Sequence, residues 1–62
     1  MKRTELLRHL GRHGCYLKRE GAAHSLWTNP NTGRIEAVPR RVEVPDGLAI
    51  RICRCLSVPD PR

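Results

Sequence analysis

One histidine, His24, stands in the stretch Gly21-Ala22-Ala23-His24-Ser25-Leu26-Trp27, just downstream of Lys18 and Arg19. An imidazole titrates near physiological pH, so it exchanges a proton where a lysine or arginine does not. Set among twelve Lys and Arg in a chain of 62 residues, it points to proton transfer on a polyanion. The competing role for a lone strand histidine is structural, with its ring hydrogen-bonded inside the fold.

The other groups with chemistry to offer are thiols. Cys15, Cys53 and Cys55 are odd in number and do not make a disulfide framework. Cys53 and Cys55 fall in an expected helix, where residues two apart point in different directions. A zinc site would need further ligands, such as His9 and His13 one helical turn apart, and neither spacing matches a closed site. Reduced thiols are expected, at least one of them a small core residue.

Length and charge bound the function. A single domain of this size buries only about 60% of the surface its unfolded chain exposes, which leaves little room for a cofactor cavity; no metal or cofactor is expected. With Trp27, Tyr16 and no Phe, the core must come from Leu, Ile, Val, Ala and Cys. The net charge of +6 and pI near 10.3 favour an acidic partner. Nucleic acid leads, because neutralising phosphates releases counterions and supplies sequence-independent affinity; an acidic protein surface and an anionic membrane are the alternatives. No apolar run approaches the roughly 20 residues that span a bilayer. The N-terminus carries no apolar stretch of signal-peptide length. The expected location is the cytoplasm, without membrane association.

The elements that must hold His24 follow from periodicity. Thr4 followed by Glu5 suits a helix start, Leu6, Leu7 and Leu10 share a face, and Gly14 ends a helix over about residues 4–13. Cys15 to Glu20 alternates as a strand, with Cys15, Leu17 and Arg19 on one side and Tyr16, Lys18 and Glu20 on the other. After the Gly21-Ala22-Ala23 turn, residues 24–28 make a second strand, with Leu26 on the face of His24 and Ser25 and Trp27 on the opposite one. Asn29 to Gly33 is a turn, residues 34–38 a third strand, and Pro39 ends its pairing. Arg40 to Val44 is a basic connector. Asp46 is the expected cap of a last helix whose Leu48, Ala49, Ile52, Cys53 and Leu56 form one apolar stripe. Residues 57–62 read as a flexible tail. The whole chain, 1–62, is one α+β domain of order α-β-β-β-α: a three-stranded antiparallel sheet with two helices on one face.

In this order, four segments resemble the HicA family of bacterial toxin ribonucleases. They are residues 8–15, ending in Gly14-Cys15; the Arg19-Glu20-Gly21-x-x-His24-Ser25 segment; Asn29-Pro30-x-Thr32-Gly33-Arg34 through Val38-Pro39-Arg40; and residues 46–53. Two positions depart from the family pattern: Ala22, where a glycine is usual, and Arg41, where a histidine is frequent. The resemblance implies a double-stranded-RNA-binding-domain-like fold, metal-independent endonuclease cleavage of messenger RNA, neutralisation by a HicB-like antitoxin, and DNA contact only through that antitoxin. It places the catalytic histidine at His24.

Such cleavage needs no metal if the RNA 2′-hydroxyl attacks the adjacent phosphorus. A base takes the proton, an acid protonates the leaving 5′-oxygen, and cations steady the phosphorane. His24 is expected to be the base, with Lys18 or Arg19 on the phosphorane. His9, His13 or water would be the acid. Lys18, Arg19, Arg34, Arg40 and Arg41 are expected phosphate contacts, a chemistry suited to RNA recognition by shape and backbone. Trp27 and Tyr16 are expected in the core or at an antitoxin interface. Two other classes compete: an RNA-binding module of the same fold that does not cut, and a small DNA-binding protein. The second fits poorly, because Arg51 and Arg54 are few and come without Asn or Gln for base edges.

Overall fold

The structure, a computed structural model, describes residues 1–61. Five elements run α1 (Arg3–Arg12), β1 (Tyr16–Glu20), β2 (His24–Asn29), β3 (Arg34–Pro39) and α2 (Asp46–Cys55). The strands form one antiparallel sheet in the order β1-β2-β3, with the two helices over one face. This is the α+β, α-β-β-β-α arrangement expected from the residue pattern. Among the described residues no helix is long and apolar enough to cross a membrane.

Burial follows the stripes. Leu6 and Leu10 of α1 meet Ala49, Ile52, Cys53 and Leu56 across Val38 of β3, all at 1% exposure or less. Each fully buried leucine or isoleucine contributes about 1.5–3 kcal/mol relative to leaving it in water. Trp27 and Leu48 pack against this cluster from its margin. Ser25 and Asn29 are buried beside them. Asn29 has a structural task beyond its turn: its Nδ2 donates to Leu56 O at 2.8 Å, tying the end of β2 to the end of α2.

The cap of α1 is Lys2, two residues before the expected Thr4, and that of α2 is Pro45, one residue before the expected Asp46. The segment Met1–Arg3 pairs with the connector, Arg3 N donating to Val42 O and Val44 N to Met1 O, both at 2.8 Å. This pairing starts α1 at Arg3, so Thr4 is helical and exposed rather than capping. Pro45 occupies the cap position of α2, and no side chain caps that helix. Asp46 instead accepts the Met1 ammonium at 2.9 Å; that contact holds its carboxyl below the usual range. The connector also supplies a core residue, Val44, at 1% exposure.

The helix ends share one geometry. After α1, Gly14 adopts a φ of 87°, Gly14 N donates to Gly11 O and Cys15 N to Leu10 O, the paired closure of a Schellman motif. After α2 the same pair runs from Ser57 N to Arg54 O and Val58 N to Cys53 O, with Ser57 at a φ of 58°. This second motif carries Val58 into the core at 8% exposure. Residues 57–61 are therefore tied down where a flexible tail is expected. Pro59 O meets His9 Nε2 at 2.7 Å, and Asp60 takes the fork of Arg54 with both contacts at 3.2 Å. Arg62, the end of the expected tail, lies outside the described residues.

Candidate functional site

His24 opens β2, and its backbone is fixed from both sides. Gly21 N donates to His24 O at 2.8 Å. A Cβ on Gly21 would lie 2.7 Å from that same oxygen, closer than van der Waals contact allows, so glycine is required there by close approach. Ala22 needs no such allowance, because Ser57 is the one non-glycine residue with a positive φ among those described. On the other side Ser25 is fully buried. Its Oγ accepts from Arg3 Nη2 at 2.8 Å and donates to Glu20 Oε1. Arg3 Nε donates to Pro39 O, the residue registered opposite His24. Arg40 closes the circuit, with Nη1 donating to Gly21 O at 3.2 Å and Nε 3.9 Å from Glu20 Oε1. Arg3 has no local signature in the sequence; its partners are 22 and 36 residues away.

The register of β1 departs from simple alternation. Leu17 pairs with Trp27 but Arg19 pairs with Leu26, so Lys18 is the extra residue of a β-bulge. Directly opposed residues project from the same face of a sheet. The rows on the face away from Ser25 and Trp27 are Tyr16, Thr28 and Ile35; Arg19, Leu26 and Ala37; and His24 with Pro39. Without the bulge Arg19 would share a face with Leu17, as the alternating pattern had implied, and Glu20 would take its place. The inserted residue reverses both: Arg19 joins His24 and Leu26, while Glu20 joins Ser25 and Val38. Bulges commonly re-aim side chains in this way beside sites. Neither Glu20 nor Glu36 lies in the His24 rows, and Arg19 is the one charged side chain in them.

His24 itself is exposed, and its ring makes no hydrogen bond or ion pair among the described residues, which disfavours the structural role. It lines a cavity of about 180 Å³ with Glu36, Pro39, Leu48 and Arg51. Glu36 Oε1 there accepts from Ala37 N at 3.1 Å. Of the expected phosphate contacts, Arg19 shares the His24 face and Lys18 projects from the bulge. Arg41 is exposed in the connector. Arg40 is a brace of the Gly21 turn. Arg34 lies at the far end of β3, registered with Asn29 and so on the helix side. His9 and His13 are not brought to His24. Their rings meet at a 60° tilt on α1, with centroids 4.8 Å apart, and His9 lines a separate cavity with Glu5, Arg8 and Arg12.

The thiols are placed apart from this site. Cys15 and Cys53 are buried, and burial raises both, Cys53 to about 11 with help from Asp60 and Cys15. Cys55 is half-buried beside Glu36, whose carboxylate raises its thiol. Among the described residues no three His, Cys, Asp or Glu are grouped closely enough to hold a metal ion.

No protein-family model, no curated protein and no solved structure matches this chain.

Proposed function

We propose that this chain is a metal-independent endoribonuclease of the HicA type, acting on messenger RNA in the cytoplasm and held in check by an acidic HicB-like antitoxin. One observation carries the reading: an exposed, unpartnered imidazole whose backbone is clamped at Gly21 and Ser25, on the sheet face to which a bulge brings Arg19. His24 removes the 2′-hydroxyl proton. The freed oxygen attacks phosphorus, the bond to the 5′-oxygen breaks, and water returns a proton to the leaving group. The products are a 2′,3′-cyclic phosphate and a 5′-hydroxyl. Arg19 and Lys18 steady the charge that builds on the non-bridging oxygens. With one positioned acid–base group, which typically supplies about 10²–10⁴-fold, turnover is slow. The antitoxin inhibits by covering this face.

Glu36, the other proton-transfer group lining the cavity, is already engaged by Ala37 N. That favours one second reading, an RNA-binding module of the same fold that does not cut. Labelled RNA incubated with the protein in EDTA separates the two. Cleavage lost in His24→Ala, with binding and fold retained, supports the nuclease. Intact RNA in a shifted complex supports the module, and undiminished cleavage by folded His24→Ala refutes the role of His24.

A further inference from the structure

The proposed cleavage gives no role to the basic residues of α2. Arg51 and Arg54 are three apart, so they project from neighbouring positions of one helical face, and both are exposed. Across from them stands Arg34. Its backbone is fixed by Thr32 Oγ1, which accepts from Arg34 N, and by Thr28 Oγ1, which donates to Arg34 O. Its guanidinium makes no hydrogen bond or ion pair among the described residues. These three arginines line a cleft of about 490 Å³, together with Gly47, Cys55 and Ser57. No carboxylate lines it; Asp60 holds Arg54 by both oxygens, and Glu36 stands at its margin beside Cys55. Arg34 and Arg51 make no ion pair among the described residues and face one concavity. Arg51 also lines the His24 cavity, so the two hollows meet at that residue.

We propose that the cleft of Arg34, Arg51 and Arg54 is a subsite for the RNA backbone, continuous with the His24 cavity through Arg51; it rests on the reading that the substrate is RNA. A strand with its scissile phosphate at His24 passes over Arg51 and lays a flanking phosphate between Arg34 and Arg51. Guanidinium forks match phosphate oxygens in geometry as well as charge. The cleft contacts backbone and leaves base identity unread, so it adds affinity and alignment without a sequence code. Arg51 is a positioning residue at the junction, and Arg34 anchors the strand beyond it.

The test measures binding apart from cleavage. A short single-stranded 2′-O-methyl RNA lacks the attacking hydroxyl, and its affinity is read by fluorescence anisotropy between about 50 and 200 mM salt. The variants are Arg34→Gln/Arg51→Gln and, as a charge-matched control on α1, Arg8→Gln/Arg12→Gln, each checked for fold by circular dichroism. The expected result is an affinity loss of about tenfold or more for the first pair. The slope of log affinity against log salt should flatten by about 0.7 for each phosphate contact removed. The control should lose far less. Equal losses in the two pairs, or a first pair that keeps the parent affinity and slope, overturn the subsite. A parent that binds this RNA but leaves unmodified RNA of the same sequence uncut refutes the nuclease and leaves the cleft to be judged by its own slope. A parent that binds no RNA overturns both.

Discussion

Replacing Gly21 with alanine tests the placement of His24 without reference to any activity. The added Cβ would lie 2.7 Å from His24 O and 3.8 Å from His24 C. Both atoms are backbone, so no side chain can swing aside, and the turn or the strand must move. Moving it breaks or stretches the bond from Gly21 N to His24 O, a loss of about 0.5–1.5 kcal/mol. Displacing packed structure to admit a methyl costs about 1–3 kcal/mol. Together these come to roughly 2–4 kcal/mol. Set against a total stability of roughly 3–9 kcal/mol for a chain of this length, that is a large part of the whole. At about 4–8 °C per kcal/mol for small domains, Tm should fall by at least roughly 8 °C.

The control is the same substitution at Gly11, inside α1. A Cβ there meets nothing within 4 Å, and alanine is favoured over glycine in a helix by about 1 kcal/mol. Gly11→Ala should therefore raise Tm by a few degrees while Gly21→Ala lowers it. Thermal and urea unfolding, followed by circular dichroism, measure both. In amide NMR spectra the Gly21→Ala shifts should concentrate at residues 20–25 and 40, around the clamp. A Gly21→Ala protein as stable as the parent would refute the close-approach reasoning, and so would a drop of equal size at Gly11.

Ser57 holds a φ of 58°, which disfavours every residue with a Cβ. Ser57→Gly should stabilise the fold by about 0.5–1 kcal/mol, read as a higher urea midpoint; a lower midpoint contradicts this. In native buffer near pH 8 a thiol reagent should label Cys55 first and reach Cys15 and Cys53 only on unfolding, because those two are buried; three equal native rates would contradict the packing. The same burial gives an alkaline limit. Cys53 titrates near 11 in the folded protein against an ordinary 9.0, so between those values the native state binds the extra proton. Stability then falls as pH rises above about 9. A Cys53→Ala variant should show a flatter melting-temperature profile over that window, whatever the cavity costs it at neutral pH.

The order of elements was legible because each apolar stripe and each turn announces itself locally. Leu6 and Leu10 at helical spacing, and Ala49, Ile52, Cys53 and Leu56 on one stripe, are the residues found buried. What was not legible depends on distant partners. The start of α1 is set by pairing of Met1–Arg3 with residues 42–44, contacts some 40 residues apart that no cap rule anticipates. Val44 and Val58 each precede a proline and sit in segments that read as connector and tail, yet each places one side chain in the core. The bulge at Lys18 has no glycine to mark it, so the alternation of β1 gave the wrong face for Arg19 and Glu20. His24 was found from its type and neighbours; the approach of Glu36 and Arg51 to its cavity comes from tertiary packing.

The bulge also bears on how an all-exposed edge strand persists. Every residue of β1 is exposed, so burial contributes little to holding it. An unpaired edge invites pairing with another chain, and natural sheets counter this with charge and irregularity. Lys18 supplies both, and the residue that interrupts the ladder is the one that turns Arg19 toward His24. What keeps β1 in place is then its pairing with β2 and the Glu20 contacts to Ser25 and Arg40. Those contacts also fix the start of β2. Because β1 itself buries no residue, the start of β2 depends on backbone and polar contacts with it more than on packing. A change at Arg3, Glu20 or Arg40 therefore acts on His24 through the backbone it disturbs, with no contact to the imidazole.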